Sequence, residues 1–346
     1  MIIMKKNFIT VAATALVFAA CSQSSLVSEI NENDIPIGFE SYSNLATKAI
    51  SSTDLEDYHT TFGVSGYKTY GGSESTIMDH YKVINDDNNG TGTYDWDYDG
   101  DNAPNTQTIK YWDKMATKYV FDAYAPYSAK ASISNHVISI EDGAYAANQN
   151  LQESISKTLN SNKFTTSTDW MTASETRNAT RTPARISTEV VNLSFGHILS
   201  KVIVIVKTKT DFAKDIVINS LSLDDVYGSG SYDGTDWTVS ETAVSVDGVV
   251  GTIKDENKTD GVNNDNYYTI ECLVIPQTSA TPKFSVNYKI GSDNETFDVS
   301  KVEIDGITSF AKGTVYTITV TIGPDPIEFD CSVSAWSENN SGEVTI

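Results

Sequence analysis

The feature of this sequence that most constrains its fold is a strict alternation of apolar and polar residues within short segments. From Tyr316 to Ile322 every second residue is apolar, and the residues between them are all threonines. In IEFDCSVSAW (residues 327–336) every second residue from Ile327 to Ala335 is again apolar or small. Because successive side chains of a strand point to opposite faces, this period predicts strands with one buried face.

Segments of the same kind recur along the chain, separated by turns rich in glycine, serine, asparagine and aspartate. Helical heptads are absent, and strand-forming residues dominate the periodic segments. Many short alternating strands with turns between them predict an all-β protein built from β-sandwiches. The other predicted strands are residues 35–41, 61–67, 94–100, 109–114, 118–128, 190–207, the start of 216–237, 267–277, 283–291, 295–304 and 341–346.

A change of composition in the middle of the chain indicates a division into domains. Residues 174–189 are polar and contain three arginines and a proline, which is typical of a linker or an exposed loop between strands. The length of the chain also favours two domains of ordinary size. We therefore predict one β-sandwich domain at 35–188 and a second at 189–346.

The N-terminus predicts export and lipid attachment. Two lysines precede an apolar segment from Phe8 to Ala20 that is too short to span a bilayer as a stable helix. This order predicts a secretory signal peptide at residues 1–20, followed by a polar tether at 21–34. The cleavage point resembles a bacterial lipobox with Cys21 as the lipidated residue, although Phe18 stands where leucine is commoner. An ordinary signal peptide that leaves a thiol is the alternative.

Charge and cysteine content remove two classes of protein. The formal net charge of −22 argues against nucleic-acid binding, which requires cationic groups to neutralise phosphates. The only cysteines are Cys21, Cys272 and Cys331, too few for a small disulfide scaffold. Cys272 and Cys331 both fall on predicted inward faces. Two buried thiols are favoured over a disulfide between them.

Few residues suggest chemistry, and each has a simpler structural interpretation. His197 lies between apolar residues, so a histidine hydrogen-bonded within a sheet is favoured over a general base or metal ligand. Trp237 follows a turn and would suit sugar stacking, but packing is commoner for such a residue. No nucleophile or acid–base pair is supported by a third group, so we expect neither an enzyme nor a cofactor site.

An acidic segment partly matches a calcium-binding loop. Asp95, Asp97 and Asp99 reproduce the D-x-D-x-D-G start of that loop. Thr106 occupies its twelfth position, where a bidentate glutamate is required. The same residues alternate with Trp96 as a strand would, so an acidic strand end that leads into a turn is favoured and no metal site is predicted.

Several segments, taken in order, resemble the fimbrillin family of Bacteroidetes, the subunits of type V pili and their fimbrillin-like relatives. YWDKMATKYVFDAYAP (111–126) resembles the W…Y-x-F-x-A-Y-x-P stretch of that family. FGHILSKV (195–202) resembles its F-x-H-x-L-x-K-V core, and CLVIPQ (272–277) resembles its L-x-x-P-Q strand end. KGTVYTITVTIG (312–323), followed by CSVSAW (331–336), resembles its last strands.

The resemblance implies two transthyretin-like β-sandwich domains and a defined route of assembly. The precursor would be exported as an outer-membrane lipoprotein through Cys21. A trypsin-like protease would then cut after a basic residue behind the first strand, and Lys48 matches that position although arginine is usual there. Loss of strand 35–41 would open a groove for a strand of another subunit, donated by 327–336 or 341–346. In tip or anchor subunits both ends would stay in place.

These expectations lead to a first function and one main alternative. The first is a cell-surface, fimbrial structural subunit that joins other pilus subunits by strand exchange and takes part in adhesion to a host or bacterial ligand. The alternative is a surface carbohydrate-binding β-sandwich lipoprotein that uses residues such as Trp237. A glycoside-processing enzyme is the least favoured interpretation.

Overall fold

The computed structural model describes residues 35–43, 61–86, 95–98, 106–141, 169–180, 186–208, 214–227, 230–239, 243–248, 251–253, 268–291, 296–322 and 327–335. The chain divides into residues 1–34 and a compact unit, 35–346, to which all the described residues belong. The predicted signal peptide, the tether, Cys21, Lys48 and strand 341–346 lie outside the described residues. Nothing in the described part of the chain forms a helix that could cross a membrane.

Every helix or strand that the structure assigns in the described residues is a β-strand, which confirms the all-β prediction. The strands are β1 Phe39–Ser43, β2 Thr61–Tyr70, β3 Ser73–Asp86, β4 Asp95–Asp97, β5 Lys118–Ala125, β6 Ala131–Ser134, β7 Val137–Ile140, β8 Met171–Asn178, β9 Val191–His197, β10 Ser200–Thr208, β11 Ile216–Val226, β12 Gly230–Tyr232, β13 Trp237–Val239, β14 Val244–Asp247, β15 Gly251–Ile253, β16 Tyr268–Val274, β17 Lys283–Ile290, β18 Thr296–Glu303, β19 Thr314–Ile322 and β20 Glu328–Ala335.

The first sheet has seven strands in the order β1-β9-β8-β5-β2-β3-β4 and curls around its own core. Its two edges approach each other, because the hydroxyl of Tyr98, just after β4, donates a hydrogen bond of 2.9 Å to the carbonyl of Ile37, just before β1. Inward side chains of the central strands, such as Phe62, Phe121 and Phe195, are fully buried. The sheet therefore encloses its core by curling, and among the described strands no second sheet covers the whole of that core.

The second core lies between two further sheets. These are β16-β10-β19-β20 and β14-β11-β17-β18, with β15 also paired to β11. Val204, Ile318, Leu223 and Phe284, two from each sheet, belong to one buried cluster. Two sheets that share an apolar interior form a β-sandwich, as predicted. The predicted alternation of buried and outward residues is confirmed in β19, whose even-numbered residues from Tyr316 to Ile322 are buried.

A small fourth sheet and a third core join the two halves of the chain. The fourth sheet, β13-β12-β7-β6, pairs strands from before and after residue 188. Strand β9, which follows residue 188, lies in the first sheet between β1 and β8. Trp170, Leu199, Tyr232 and Leu273 are buried together in the third core. The division at residue 188 stays a prediction, while the sheets show that pairing crosses that point.

Two sequence interpretations differ from the structure in this region. The predicted linker at 174–189 is wrong in its first part, because residues 174–178 belong to β8. The outward face of β8 carries hydroxyls rather than apolar groups, so its composition resembles that of a loop. The apolar segment 190–207 forms β9 and β10, which enter different sheets on either side of the buried pair Ile198–Leu199.

A close approach between β2 and β5 gives a test of packing in the first sheet. Gly63 is paired with Tyr124, and a Cβ at position 63 would lie 2.5–2.6 Å from atoms of the Tyr124 ring. Because that ring is fully buried, Gly63→Ala should lower the free energy of unfolding by about 1–3 kcal/mol. Urea denaturation measures this. Gly196→Ala is the control, since a Cβ there meets nothing within 4 Å. Equal stability of the two variants would contradict the predicted clash.

Candidate functional site

The segment that contains β1 lies between two neighbours and is hydrogen-bonded to both. On one side β1 runs parallel to β9, in a register from Phe39 opposite Val191 to Ser43 opposite Phe195. On the other side Ile37 N–H donates to Lys110 O at 2.8 Å, and Trp112 N–H donates to Ile35 O at 2.9 Å. Without this segment, β9 would present an unpaired edge, which is the kind of edge that another strand can join.

The neighbour on the second side is not the strand that the sequence predicts. Residues 109–114 form a single isolated bridge, Pro36 with Tyr111, rather than a regular strand. The pairing stops after one bridge because the partner segment turns to β9, with Gly38 O accepting from Val191 N–H at 2.8 Å and Phe39 beginning the ladder to β9.

Two side chains anchor the β1 segment in the first core. Ile37 and Phe39 are 1% and 4% exposed, whereas Ile35 is 39% exposed and lies outside the core. The ring of Phe39 meets those of Phe62, Tyr98 and Phe121 edge-on, with centroids 5.7–5.9 Å apart. The predicted inward face of three residues therefore has two anchors. The slot that holds them is here called the β1 slot, formed by β9, residues 110–112 and these rings.

The C-terminal strand β20 completes its own sheet in this structure. It pairs antiparallel with β19 at the sheet edge, from Glu328 opposite Thr321 to Ala335 opposite Thr314. The predicted inward face is confirmed for four partly buried residues that pack on the second core, Ile327, Phe329, Cys331 and Val333, whereas Ala335 is exposed. The ring centroid of Phe329 lies 6.0 Å from that of Phe284.

The β1 segment and the start of β20 share a local pattern that the sequence interpretation missed. Residues 36–40 read PIGFE and residues 326–330 read PIEFD, so both have Pro-Ile-x-Phe followed by an acid. The signal could have been found by comparing the two ends of the chain. Ile327 and Phe329 thus repeat the spacing of Ile37 and Phe39. A Cβ at Gly38 would only touch Val190 Cγ2, at 3.9 Å, so the slot tolerates a side chain between the anchors.

The two cysteines inside the described residues are thiols at opposite edges of one sheet. Cys272 lies in β16 and Cys331 in β20, with β10 and β19 between them. Neighbouring strands are about 4.8 Å apart, so three spacings separate the cysteines by about 14 Å. A disulfide requires Cα atoms within about 7 Å, which leaves two thiols; Cys272 is buried, as favoured, whereas Cys331 is only partly buried. Burial and the charge of Asp330 raise the pKa of the Cys331 thiol.

His197 has a carboxylate partner that the sequence interpretation did not find. Its Nδ1 lies 2.8 Å from Oδ2 of Asp169, and the two side chains are 7% and 6% exposed. The histidine lies within the sheet, as expected, and it is paired with a buried carboxylate. The partner comes from 28 positions earlier in the sequence (197 less 169), where only the pairing of β8 with β9 brings it close.

His136 also lies among charged groups, which come from distant parts of the sequence. Its Nδ1 is 2.7 Å from Oδ2 of Asp122, and its Nε2 is 2.9 Å from Oε1 of Glu74. Ser174 Oγ donates to the other oxygen of Asp122 at 2.6 Å. The carboxylate, not the histidine, is central, so the serine is not activated as a nucleophile would be. This cluster ties the β6–β7 turn to the first sheet.

Two other candidate sites are resolved by their surroundings. Asp95 and Asp97 belong to β4, which pairs with β3, and Asp99 lies outside the described residues. No group of three His, Cys, Asp or Glu in the described ranges could hold a metal. The indole of Trp237 donates to Ile198 O at 2.7 Å and packs against the third core. Trp237 therefore packs rather than offering an open stacking face.

Comparison with known proteins decides the family. A model of the fimbrillin-like family matches residues 47–336, which is most of the chain. The chain belongs to the fimbrillin-like family. This confirms the sequence resemblance, and membership of a fimbrial family implies a structural role at the cell surface alongside other fimbrial subunits. The matched range begins after β1 and includes β20.

Solved structures resemble this chain at low sequence identity. A candidate cell adhesion protein from Bacteroides ovatus is 14% identical, with 89% of this chain and 99% of that chain covered and a TM-score of 0.50. One from Bacteroides uniformis is 16% identical over 87% and 98%, with a TM-score of 0.48. The tip fimbrial protein Mfa3 of Porphyromonas gingivalis is 10% identical over 88% and 100%, with a TM-score of 0.40. Comparison with curated protein sequences found no match.

The anchoring of β1 in this fimbrillin-like chain can be measured directly. Phe39→Ala removes a ring that touches three others, so it should lower the free energy of unfolding by about 3–5 kcal/mol. Glu40→Ala, at an exposed neighbour, should change it by less than about 0.5 kcal/mol. Urea denaturation distinguishes them. A Phe39→Ala protein as stable as Glu40→Ala would show that the β1 segment is not anchored.

The His136 cluster predicts a pH dependence of stability. Burial lowers the pKa of His136, but hydrogen bonds to Glu74 and Asp122 outweigh it, so the pKa is raised above 6.5. A group whose pKa is raised by folding stabilises the folded state fully when the pH is below its pKa in the unfolded chain. This contribution to the free energy of unfolding is lost as the pH rises through its pKa in the folded chain. The stability lost in His136→Gln should thus be largest near about pH 5.5 and shrink towards about pH 8.5.

Urea denaturation of wild type and variant across this pH range measures the effect. Ser132→Ala, at an exposed position of β6 in the same hairpin, is the control and should show no such trend. A loss in His136→Gln that is constant with pH would contradict the charged pairing.

Proposed function

We propose that this chain is the structural subunit of a pilus, exported as an outer-membrane lipoprotein through Cys21 and joined to other subunits by donor-strand exchange. In this proposal a trypsin-like protease cuts after Lys48, and the assembled fimbrium takes part in adhesion to a host or bacterial surface ligand. The observation that carries the proposal is the pattern shared by residues 36–40 and residues 326–330. Ile37 and Phe39 fill the β1 slot, and Ile327 and Phe329 repeat them in the C-terminal strand.

Cleavage after Lys48 would leave the β1 segment held only by non-covalent contacts. These are its hydrogen bonds to β9 and residues 110–112 and its two apolar anchors. Its loss would expose the edge of β9 and leave a cavity lined by Phe62, Tyr98 and Phe121. Cavities of this size cost several kcal/mol, so a segment with equivalent anchors is strongly favoured to enter.

The C-terminal strand suits the role of donor because of its place in the second sandwich. Among the described strands, β20 pairs only with β19, so it can leave without separating any other pair of them. Its inward side chains are only partly buried at home, whereas Ile37 and Phe39 are almost completely buried in the β1 slot. A donor that copies β1 would place Ile327 at the position of Ile37 and Phe329 at that of Phe39.

An anchor or tip subunit is the second candidate, and one observation favours it. In this structure both β1 and β20 occupy complete sheets of their own chain. The fates of Cys21 and β1 are also linked, because one cut after Lys48 would remove both from the core. A chain that escapes the cut would stay attached through lipid and keep its β1 slot filled, as an anchor would.

Mild trypsin treatment of the purified precursor tests the proposal. We expect a core that begins at Ala49 and, by native mass analysis, lacks residues 35–43. This core should form polymers that appear as ladders of bands on a gel and persist in mild denaturant. Lys48→Gln should prevent the cut and the ladders. Phe329→Asp should be cut but form no ladder, because a charged side chain cannot fill the place of Phe39.

Asp330→Asn is the matched control, since it changes an exposed neighbour and should still form ladders. A cleaved core that retains residues 35–43 and remains monomeric would overturn strand exchange and support the anchor or tip assignment.

A further inference from the structure

A groove on the outer face of the first sheet is separate from the β1 slot. Its volume is about 570 Å³. The floor is made by even-numbered residues of β5, β8 and β9, and one wall by β7 and the turn between β12 and β13. The odd-numbered residues of the same strands, such as Phe121 and Leu193, point into the first core. The groove and the β1 slot therefore lie on opposite faces of one sheet.

Four hydroxyl side chains line the floor of the groove. Thr172, Ser174 and Thr176 follow one another at every second position of β8, and Ser194 lies beside them on β9. Residues two apart on a strand are separated by about 6.5–7 Å, so these hydroxyls form a regular row. Ser174 and Thr176 are exposed. This is an array of groups that both donate and accept hydrogen bonds.

Of the charged groups that line the groove, Asp122 and His136 are paired with each other, while Lys118, opposite Asn178, adds an ammonium group that can donate to a ligand hydroxyl. Asp122 accepts from Ser174 at one oxygen and faces His136 at the other, and its side chain is 6% exposed. Ser174 Oγ donates its hydrogen bond to this carboxylate. The lone pairs of the same oxygen therefore remain available to accept a hydrogen bond from a ligand hydroxyl. The strongly acidic chain also repels anions at long range. The groove thus favours a neutral, hydroxyl-rich ligand.

We propose that this groove binds a neutral oligosaccharide along the hydroxyl row of β8. The inference names a ligand class for the adhesive role within the proposed function and does not depend on strand exchange. It also differs from the expected sugar site at Trp237, whose indole is engaged with Ile198 and the third core.

Gly196 provides a way to close the groove without disturbing the sheet. It lines the groove, and a Cβ there would meet nothing within 4 Å. Its φ lies outside the left-handed region, so a larger residue brings no backbone strain. Gly196→Trp should fill the groove, whereas Gly196→Ala should leave it open. Thr176→Tyr, at an exposed floor position, is a second blocking variant on a different strand, so it does not depend on how the first variant folds.

The test applies the purified whole chain to immobilised neutral oligosaccharides of gluco, galacto, manno and fuco configuration, followed by calorimetry with the best binder. We expect wild type and Ser132→Ala, at an exposed position outside the groove, to bind, and Gly196→Trp and Thr176→Tyr to lose binding by at least about tenfold. Ser174→Ala should weaken binding about two- to tenfold, the value of one neutral hydrogen bond. Urea denaturation confirms that each variant is folded.

Absence of binding to every oligosaccharide would overturn the inference, and so would binding that persists in both blocking variants. A synthetic peptide of residues 327–335 serves as a competitor. If the peptide binds in place of the saccharides, and the blocking variants lose that peptide binding, the groove binds a protein partner and the inference is wrong. Ladder formation after trypsin is scored separately, so failure here is distinguishable from failure of the proposed assembly.

Discussion

The insertion of Phe39 among three aromatic rings is the interaction on which the first half of the structure depends. This one side chain, with Ile37, brings the edge of a curled seven-strand sheet against its far end, where Tyr98 closes the gap by a hydrogen bond to the β1 segment. An edge that a short segment completes with two apolar anchors is stable only while that segment is present. The β1 segment is therefore part of the core although it lies at the edge of the sheet.

In the β-sandwich around the second core, the edge strand is less deeply buried than the β1 segment is in the first sheet. The core of this sandwich is shared by two sheets, and its last described strand is an edge strand whose apolar side chains are only partly buried. The described chain thus begins with a strongly buried edge segment and ends with a weakly buried one that has the same Pro-Ile-x-Phe-acid pattern. This asymmetry would favour transfer of a C-terminal strand into a vacated β1 slot. The groove on the outer face of the first sheet faces away from that slot.

Much of the local structure could be predicted because period-two alternation needs no knowledge of the rest of the chain. Strand β19, the inward face of β20 and the β17–β18 hairpin follow directly from their residues. Prediction failed where a strand is polar on its outer face, as in β8, whose second half lies in the segment that resembles a linker. It also failed at residues 109–114, where the partner segment makes one bridge and then turns to pair with β9.

The sequence by itself determined that the chain is all-β, which faces its strands bury, and which family it resembles, because all three depend on short segments read in order. The tertiary structure decided which strands become neighbours. It brought Asp169 to His197, Asp122 and Glu74 to His136, and β9 to β1 across more than 140 residues. It also set Cys272 and Cys331 at opposite edges of one sheet. Such contacts depend on where every intervening strand packs, and no local pattern specifies that.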